Sequence, residues 1–266
     1  MTTTPEPDRA AGVLLGLAAG DRNGGPVQMA LRLAESLGGC GGFDPRDVGR
    51  RYLDWWVKEG FDTGAVAARV FERVHGGASF EEASRAVDRA LDGLTAGCNA
   101  AHRTPPLAMC RAVADGDLAS AANADARLTH AHPLAGDAAA AVVVLCRGLI
   151  RGMSWDAAVA QAASGRLDPT RRAVVETPED LDRGGFSPET LAAALHFLHR
   201  GRDFGQTLQD AVDFAGPANY CPVLVGAIAG ARWGARGIPD EALQHCPSLL
   251  PRLRAAAEAL ATPWVS

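Results

Sequence analysis

The chain has 266 residues, of which 47% are hydrophobic, and this is enough apolar surface for one large domain with a single core. Its net charge is −5, so neither nucleic acid nor an anionic membrane surface is expected as a partner. The six cysteines are far apart and include no CxxC pair, which argues against a disulfide or zinc framework and predicts reduced side chains.

The N-terminal sequence lacks the basic and apolar regions of a secretory signal. We expect residues 1–10 to form a flexible tail ahead of one domain over residues 11–266. The longest apolar run, residues 138–146, is about half as long as a membrane span. A cytoplasmic protein with no membrane partner is therefore predicted.

Helical periodicity recurs along the chain. Apolar residues at every fourth position predict a helix from Met29 that stops at Gly38-Gly39, and another from Val66 to Gly76-Gly77. Ser79 and Glu82 are typical of a capping box at the start of the next helix. The segment Pro133–Arg151 is apolar all round in its middle and is predicted to lie at the centre of the core.

One long stretch, Ser164–Phe186, is rich in Arg, Asp, Gly and Pro and has no clear periodicity. Such a stretch is either a binding loop or lid, or a mobile surface loop. No strand alternation or hairpin signal competes with helix elsewhere, and β-branched runs are nearly absent. The sequence therefore predicts an all-α fold of ten or more helices.

Six segments, in order, resemble the ADP-ribosylglycohydrolase family. They are Gly12–Val27, like the opening G-x-L-L-G-x-A-x-G-D motif, Gln28–Leu37, Phe61–Gly64, like F-D-x-G, Gly97–Ala108, Leu128–Pro133, like S-x-x-T-H-x-x-P, and Ala215–Pro239. The resemblance implies a single orthogonal bundle of helices with a central cleft. In the family, that cleft holds two magnesium ions and cleaves the glycosidic bond of ADP-ribose.

This sequence differs from the family at the two motifs that bind the metal ions. The T-D-D-T motif that precedes the Gln28–Leu37 helix in the family is missing, because Gly24-Gly25-Pro26-Val27 stands directly before that helix. The second motif, G-G-D-x-D-T, falls on residues 215–220, where Pro217 and Asn219 occupy the positions of the two aspartates. Magnesium prefers carboxylate oxygens. We therefore expect no metal ligand and no magnesium cofactor.

Two carboxylates remain in segments that the family places at its cleft, and we predict that Asp21 and Asp62 are the catalytic groups if acid–base chemistry survives. Each has a structural alternative. Asp21 follows an apolar segment and can cap a helix, and Asp62 can be the N-cap of a helix beginning at Thr63.

Further candidates for ligand binding come from the same segments. Arg22 and Asn23 follow Asp21, and a guanidinium in place of the lost cations suits phosphate or carboxylate ligands. Cys98, Asn99 and His102 lie in a loop whose family counterpart holds a diphosphate. A surface position is the alternative for His102.

The remaining candidates are a histidine and the residues at the old metal loop. The resemblance places His130 near the ligand, and zinc binding by His130 with His132 is an alternative without a further ligand at recognisable spacing. Asn219, Tyr220 and Cys221 occupy the metal loop. Tyr220 either binds ligand or fills vacated space, and Cys221 is a nucleophile only if a base accompanies it.

Two functions follow. The first is a metal-independent, repurposed hydrolase or lyase acting on an ADP-ribose-like, nucleoside-like or other glycosidic small molecule. The second is a catalytically inactive protein that binds ADP-ribose or a related nucleotide. Asp21 and Asp62 favour the first, and the lost metal carboxylates favour the second.

Overall fold

A computed structural model describes residues 4–176 and 178–264, and these residues form fifteen α-helices and four short 3-10 helices. The α-helices are α1 Glu6–Gly20, α2 Gly25–Cys40, α3 Pro45–Lys58, α4 Ala65–His75, α5 Phe80–Ala90, α6 Asn99–Arg103, α7 Pro106–Met109, α8 Leu118–Arg127, α9 Pro133–Ile150, α10 Trp155–Ala163, α11 Asp168–Val175, α12 Ser187–Arg200, α13 Phe204–Ala215, α14 Tyr220–Trp233 and α15 Leu250–Ala261. The 3-10 helices are Asp115–Asp117, Ala235–Gly237, Asp240–Leu243 and Thr262–Trp264.

The predicted all-α fold is confirmed. Over the described ranges the only β-type pairing is an isolated antiparallel bridge between Gly97 and Phe186. That bridge ties the end of the ambiguous Ser164–Phe186 stretch to the loop before α6. The stretch is not wholly irregular, since it contains α11. Position 177 of this stretch lies outside the described residues.

Several predicted boundaries hold and others shift. Helix α4 ends before Gly76, and Ser79 and Glu82 form the predicted capping box. The stop predicted at Gly38-Gly39 is wrong, because α2 continues to Cys40 and ends at Gly41 with φ of 66°. The boundary predicted at residue 10 falls inside α1, because that helix begins at Glu6 after a proline N-cap.

Helix α9 is the central helix of the core, as its sequence predicts. It is long and apolar enough to cross a membrane by length and composition alone, but 83% of its most apolar window is buried inside the protein. Its neighbours α8, α10, α6 and α14 pack around it. A helix that is apolar all round needs partners on every side, and these helices supply them.

The packing of α1 against α14 positions the site. Their backbones run antiparallel and touch, because glycines face each other across the contact. A Cβ built at Gly16 would lie 2.1 Å from the Gly226 carbonyl oxygen, and one at Gly230 would lie 1.9 Å from that of Gly12. No side chain fits there. The contact therefore brings the C-terminus of α1 beside the N-terminus of α14.

Candidate functional site

Asp21 and Asn219 meet where α1 ends and α14 begins. Asp21 is the C-cap of α1, and Asn219 is the residue immediately before α14. The Asn219 Nδ2 donates a hydrogen bond to Asp21 Oδ1 over 2.6 Å, across 198 residues of sequence. Asp21 is fully buried and Asn219 is nearly so. The two residues form the floor of the site.

The Asp21 carboxylate also accepts three hydrogen bonds from the backbone that begins α2. The donors are the N–H groups of Asn23 at 3.3 Å, Gly24 at 2.9 Å and Val27 at 2.7 Å. These bonds satisfy free amides at the helix start, so the capping interpretation of Asp21 accounts for its geometry. Burial raises the pKa of Asp21, and the four hydrogen bonds oppose that rise.

Asn219 is held by partners that determine its orientation. Its Oδ1 accepts from the Arg22 backbone N–H at 3.2 Å, while its Nδ2 donates to Asp21. An amide N–H can only donate and a carboxylate can only accept, so the oxygen and nitrogen of Asn219 are not interchangeable. Both ends of the side chain are used within the protein.

A cavity of about 230 Å³ opens above this floor. Six predicted site residues line it: Asn23, Asp62, Asn99, His102, Asn219 and Tyr220. Four lining residues were missed: Pro26, Gly64, Pro217 and Ala218. All four lie in the segments that carry the family resemblance. The resemblance could therefore have indicated these segments as part of the site, but nothing in the sequence indicated which of their residues line the cavity.

Asp62 stands at the mouth of the cavity in a left-handed backbone conformation, with φ of 48°. It is not the N-cap of the following helix, because α4 begins at Ala65 with Gly64 as N-cap. The N-cap alternative is therefore wrong. Partial desolvation and the nearby Asp21 charge raise the pKa of Asp62, and hydrogen bonds from Gly25 and Asn23 oppose the rise.

His102 is buried, so the surface alternative for it is wrong. Its Nε2 donates to the backbone carbonyl of Tyr220 over 2.9 Å, which requires the Nε2-protonated ring. Burial lowers the pKa of His102 to about 4, so the ring is neutral at pH 7. The Tyr220 ring lies nearly parallel to it, with centroids 6.5 Å apart, and is 40% exposed. Tyr220 therefore offers an aromatic face to the cavity.

The loop before α6 is already tied into the protein. The Cys98 backbone N–H donates to the Gly185 carbonyl at 2.9 Å, and the Asn99 side-chain amide donates to the Thr63 carbonyl. The Cys98 amide is therefore not free to hold a diphosphate. Gly185 also lies beside the Tyr220 ring. The ambiguous stretch thus ends as part of the wall around the site.

Four predicted binding residues do not line the cavity: Arg22, Cys98, Cys221 and His130. Arg22 is exposed, and its guanidinium donates to the carbonyl of Ala218, a residue of the cavity wall, without lining the cavity itself. Cys98 and Cys221 are buried beneath it, and burial raises the pKa of each thiol to about 12. Both are protonated at pH 7, which is unfavourable for Cys221 as a nucleophile.

His130 lies behind the cavity and belongs to a buried polar network. Its Nδ1 accepts from the Thr129 hydroxyl at 2.7 Å, and that hydroxyl accepts from Arg103 at 2.7 Å. Arg103 is fully buried and forms an ion pair with Asp125 at 2.7 Å, to which the Tyr52 hydroxyl also donates. Burial, with the nearby Arg103 charge, lowers the pKa of His130 to about 3.

The zinc alternative fails at His132. The Nδ1 of His132 accepts from the Leu134 N–H and caps α9, so the two histidines serve separate structural roles. Within residues 4–176 and 178–264, no group of three or more His, Cys, Asp or Glu side chains is arranged to hold a metal ion.

The residues at the site do not fit the magnesium pair that the resemblance implies. Pro217 has no side-chain oxygen. The Asn219 oxygen is bonded to Arg22, and Asp21 faces four N–H donors. The lone pairs of the Asp21 carboxylate are taken up by these N–H groups, whose positive ends also repel a cation. Among the residues that the structure describes, Asp62 is the one carboxylate on the cavity wall.

The ADP-ribosylglycohydrolase family matches residues 26–265 of the chain. The chain belongs to this family. The match covers five of the six resembling segments in full, and it includes only the last two residues of the other segment, Gly12–Val27. The recognition made from sequence is confirmed.

Two individual comparisons, one of sequence and one of structure, agree with this family assignment. It is 26% identical to the ADP-ribosyl-[dinitrogen reductase] glycohydrolase of Rhodospirillum rubrum over 276 residues, which cover 90% of each chain. Its structure is similar to a solved structure titled "ADP-ribosylglycohydrolase-related protein complex", with a TM-score of 0.80 and 30% identity. That similarity covers 97% of this chain and 98% of the other.

Proposed function

We propose that this member of the ADP-ribosylglycohydrolase family binds the nucleoside part of an ADP-ribose-like molecule and does not perform metal-assisted hydrolysis. The observation that carries the proposal is the hydrogen bond from Asn219 to Asp21. It occupies the position of the second metal motif with a neutral donor, and it closes Asp21 off from any ligand.

The cavity suits a ligand fragment of modest size. Its volume of about 230 Å³ is below the range usual for drug-sized ligands, roughly 300–1,000 Å³, and matches a sugar or nucleoside better than a whole dinucleotide. The Asp62 carboxylate can accept hydrogen bonds from a ribose diol. The exposed Tyr220 ring can stack on a base.

Metal-independent hydrolysis is the second candidate, and one observation favours it. The raised pKa of Asp62 is what a general acid at the cavity requires. Glycoside cleavage commonly uses two carboxyl groups that flank the bond. Asp21 has no exposed surface and four donors, so it does not provide the second group. Binding is therefore the function that we put first.

Calorimetric titration with ADP-ribose and with adenosine, each with and without magnesium, tests the proposal. We expect saturable binding that magnesium does not change, weakened at least tenfold by Asp62→Asn, or about 1.4 kcal/mol. Asp210→Asn, an exposed carboxylate on α13, is the matched control and should bind as the wild type does. Magnesium-dependent binding, or no binding of either ligand, would contradict the proposal.

A turnover assay separates the two candidate functions. Purified protein is incubated with ADP-ribosyl-arginine in EDTA, and release of ADP-ribose is followed by chromatography. The binding proposal predicts no release above the uncatalysed rate. Release that depends on Asp62 would establish the hydrolase instead.

A further inference from the structure

The wall of the cavity beside Asp62 carries negative charge and no side-chain cation. No lysine or arginine of the described chain segments lines this cavity, and Asp62 supplies its one carboxylate. His102 also lines it, but burial lowers the pKa of His102 to about 4, so the ring is neutral at pH 7. Desolvation and then the Asp21 charge raise the pKa of Asp62, so the two carboxylates act on each other. A ligand in the cavity therefore meets carboxylates without a compensating cation.

Arg22 is the arginine nearest in sequence to these carboxylates, and it does not neutralise the wall. Its side chain is exposed, and its guanidinium donates to the Ala218 carbonyl without lining the cavity. Solvent and salt screen a charge in such a position. The cavity wall therefore keeps its negative charge.

Backbone amides at helix starts are the other common partners of a phosphate, and those of α2 already have acceptors. The Gly24 and Val27 N–H groups donate to Asp21. The Gly25 N–H donates to Asp62. The partial positive charge of this helix start is therefore paired with two carboxylates before any ligand binds.

The other helix starts around the cavity do not reverse this balance. The third residue of α14 is Pro222, which has no N–H. The Cys98 amide, before α6, donates to the Gly185 carbonyl. Asp62 precedes Gly64, the N-cap of α4, by two residues, so a full negative charge accompanies a helix start worth about half a positive charge. A phosphate here would depend on partial charges that a full charge opposes.

We propose that the site selects a nucleoside that carries no phosphate, such as free adenosine, over the corresponding nucleotide. The inference rests on the proposed function, in which Asp62 accepts hydrogen bonds from the ribose diol. A 5′-phosphate on the same ribose would lie within about 10 Å of that carboxylate, which is the Debye length at 0.1 M salt. The ribose hydroxyls donate to Asp62, whereas a phosphate dianion is repelled by it.

Parallel calorimetric titrations with adenosine and with adenosine 5′-monophosphate test the selection. They are run at pH 8, so that Asp62 is ionised despite its raised pKa. We expect adenosine to bind about fivefold more tightly than the monophosphate, or better, at about 0.1 M salt. The difference should shrink at about 1 M salt, where the Debye length is about 3 Å, while adenosine binding changes little.

Asp62→Asn tests whether the carboxylate causes the selection. The variant loses the charged acceptor of the ribose diol, so both ligands should bind more weakly. It also loses the repulsion, so adenosine should be affected more than the monophosphate, and the ratio of their affinities should approach one. Asp210→Asn, the exposed control on α13, should leave the ratio unchanged.

Each further outcome has a definite meaning. Equal binding of the two ligands, or tighter binding of the monophosphate, overturns the selection and leaves the proposed nucleoside site in place. If Arg22→Gln then removes an advantage of the monophosphate, Arg22 is its phosphate ligand. An unchanged affinity ratio in Asp62→Asn also overturns the inference. Absence of binding by both ligands overturns the inference together with the proposed function.

Discussion

Asn219 donates to Asp21 in a fully enclosed contact, so the amide performs a task that an acid at this position could not perform at neutral pH. We expect Asn219→Asp to destabilise the protein by about 3 kcal/mol, because it replaces a donor by a second buried carboxylate. Chemical denaturation at pH 7 and at pH 5 measures the effect, which should shrink at the lower pH as a proton is shared. Asn219→Ala, which loses the bond without adding charge, should cost about 1–2 kcal/mol with little pH dependence. Equal losses in both variants at pH 7 would contradict this account.

The close contact between α1 and α14 should not tolerate a side chain larger than that of glycine. Gly226→Ala should destabilise by about 3 kcal/mol or more, because its Cβ would lie 2.0 Å from the Gly16 carbonyl oxygen and the helices would have to separate. Gly38→Ala is the matched control. It lies on α2 with no atom within 4 Å of the new Cβ, and it should stabilise by about 0.5–1 kcal/mol. Thermal unfolding of both variants checks the pair, and a loss in Gly38→Ala equal to that in Gly226→Ala would refute the steric argument.

The buried network behind the cavity should be intolerant of a missing partner. Asp125→Asn leaves the fully buried Arg103 charge uncompensated and should cost about 3–5 kcal/mol in urea denaturation. Tyr52→Phe removes one hydrogen bond to the same carboxylate and should cost about 1–2 kcal/mol. Glu81→Gln, at an exposed ion pair with Arg85, should stay within about 0.5 kcal/mol of the wild type. We expect the loss of stability to decrease in the order Asp125→Asn, Tyr52→Phe, Glu81→Gln, and a different order would contradict this account.

The stability of the protein should depend on pH through Asp62. Because the pKa of Asp62 is raised in the folded protein, that state keeps the proton where the unfolded chain has lost it. The free energy of unfolding therefore falls as pH rises from about 4 through the raised pKa. Asp62→Asn removes this dependence, so its stability relative to the wild type should increase with pH. Denaturation curves at several pH values between about 4 and 7 measure the difference, and parallel profiles would show that Asp62 does not titrate in this way.

Local patterns were enough to predict the all-α class, the four helices α2, α4, α5 and α9, and the order of the segments around the site. The capping box at Ser79 and the all-round apolar α9 depend on neighbouring residues, and both are confirmed. The backbone at Asp62 could not be predicted, since it is set by close packing against Gly25, 37 positions earlier in the chain. The burial of His102 depends on Tyr220, 118 residues away.

The environment of Arg32 is a second feature that could not be predicted from the sequence. Arg32 lies on the amphipathic helix α2, and no motif in the sequence distinguishes it from an ordinary arginine. What distinguishes it is that its Nη1 is buried and has no hydrogen-bond partner within the part of the chain that the structure describes. A missing partner is a property of the packed molecule, and no pattern along one helix carries it.

The contact of α1 with α14 also has a consequence for synthesis on the ribosome. The hydrogen-bond partner of Asp21, Asn219, is synthesised 198 residues later. At a translation rate of about 5–20 residues per second, this delay is on the order of 10–40 s. During that time the apolar, glycine-lined face of α1 has no native cover. The cavity is therefore among the last parts of the protein to form, and a chain that ends before α14 holds α1 to α13 around a site with no floor.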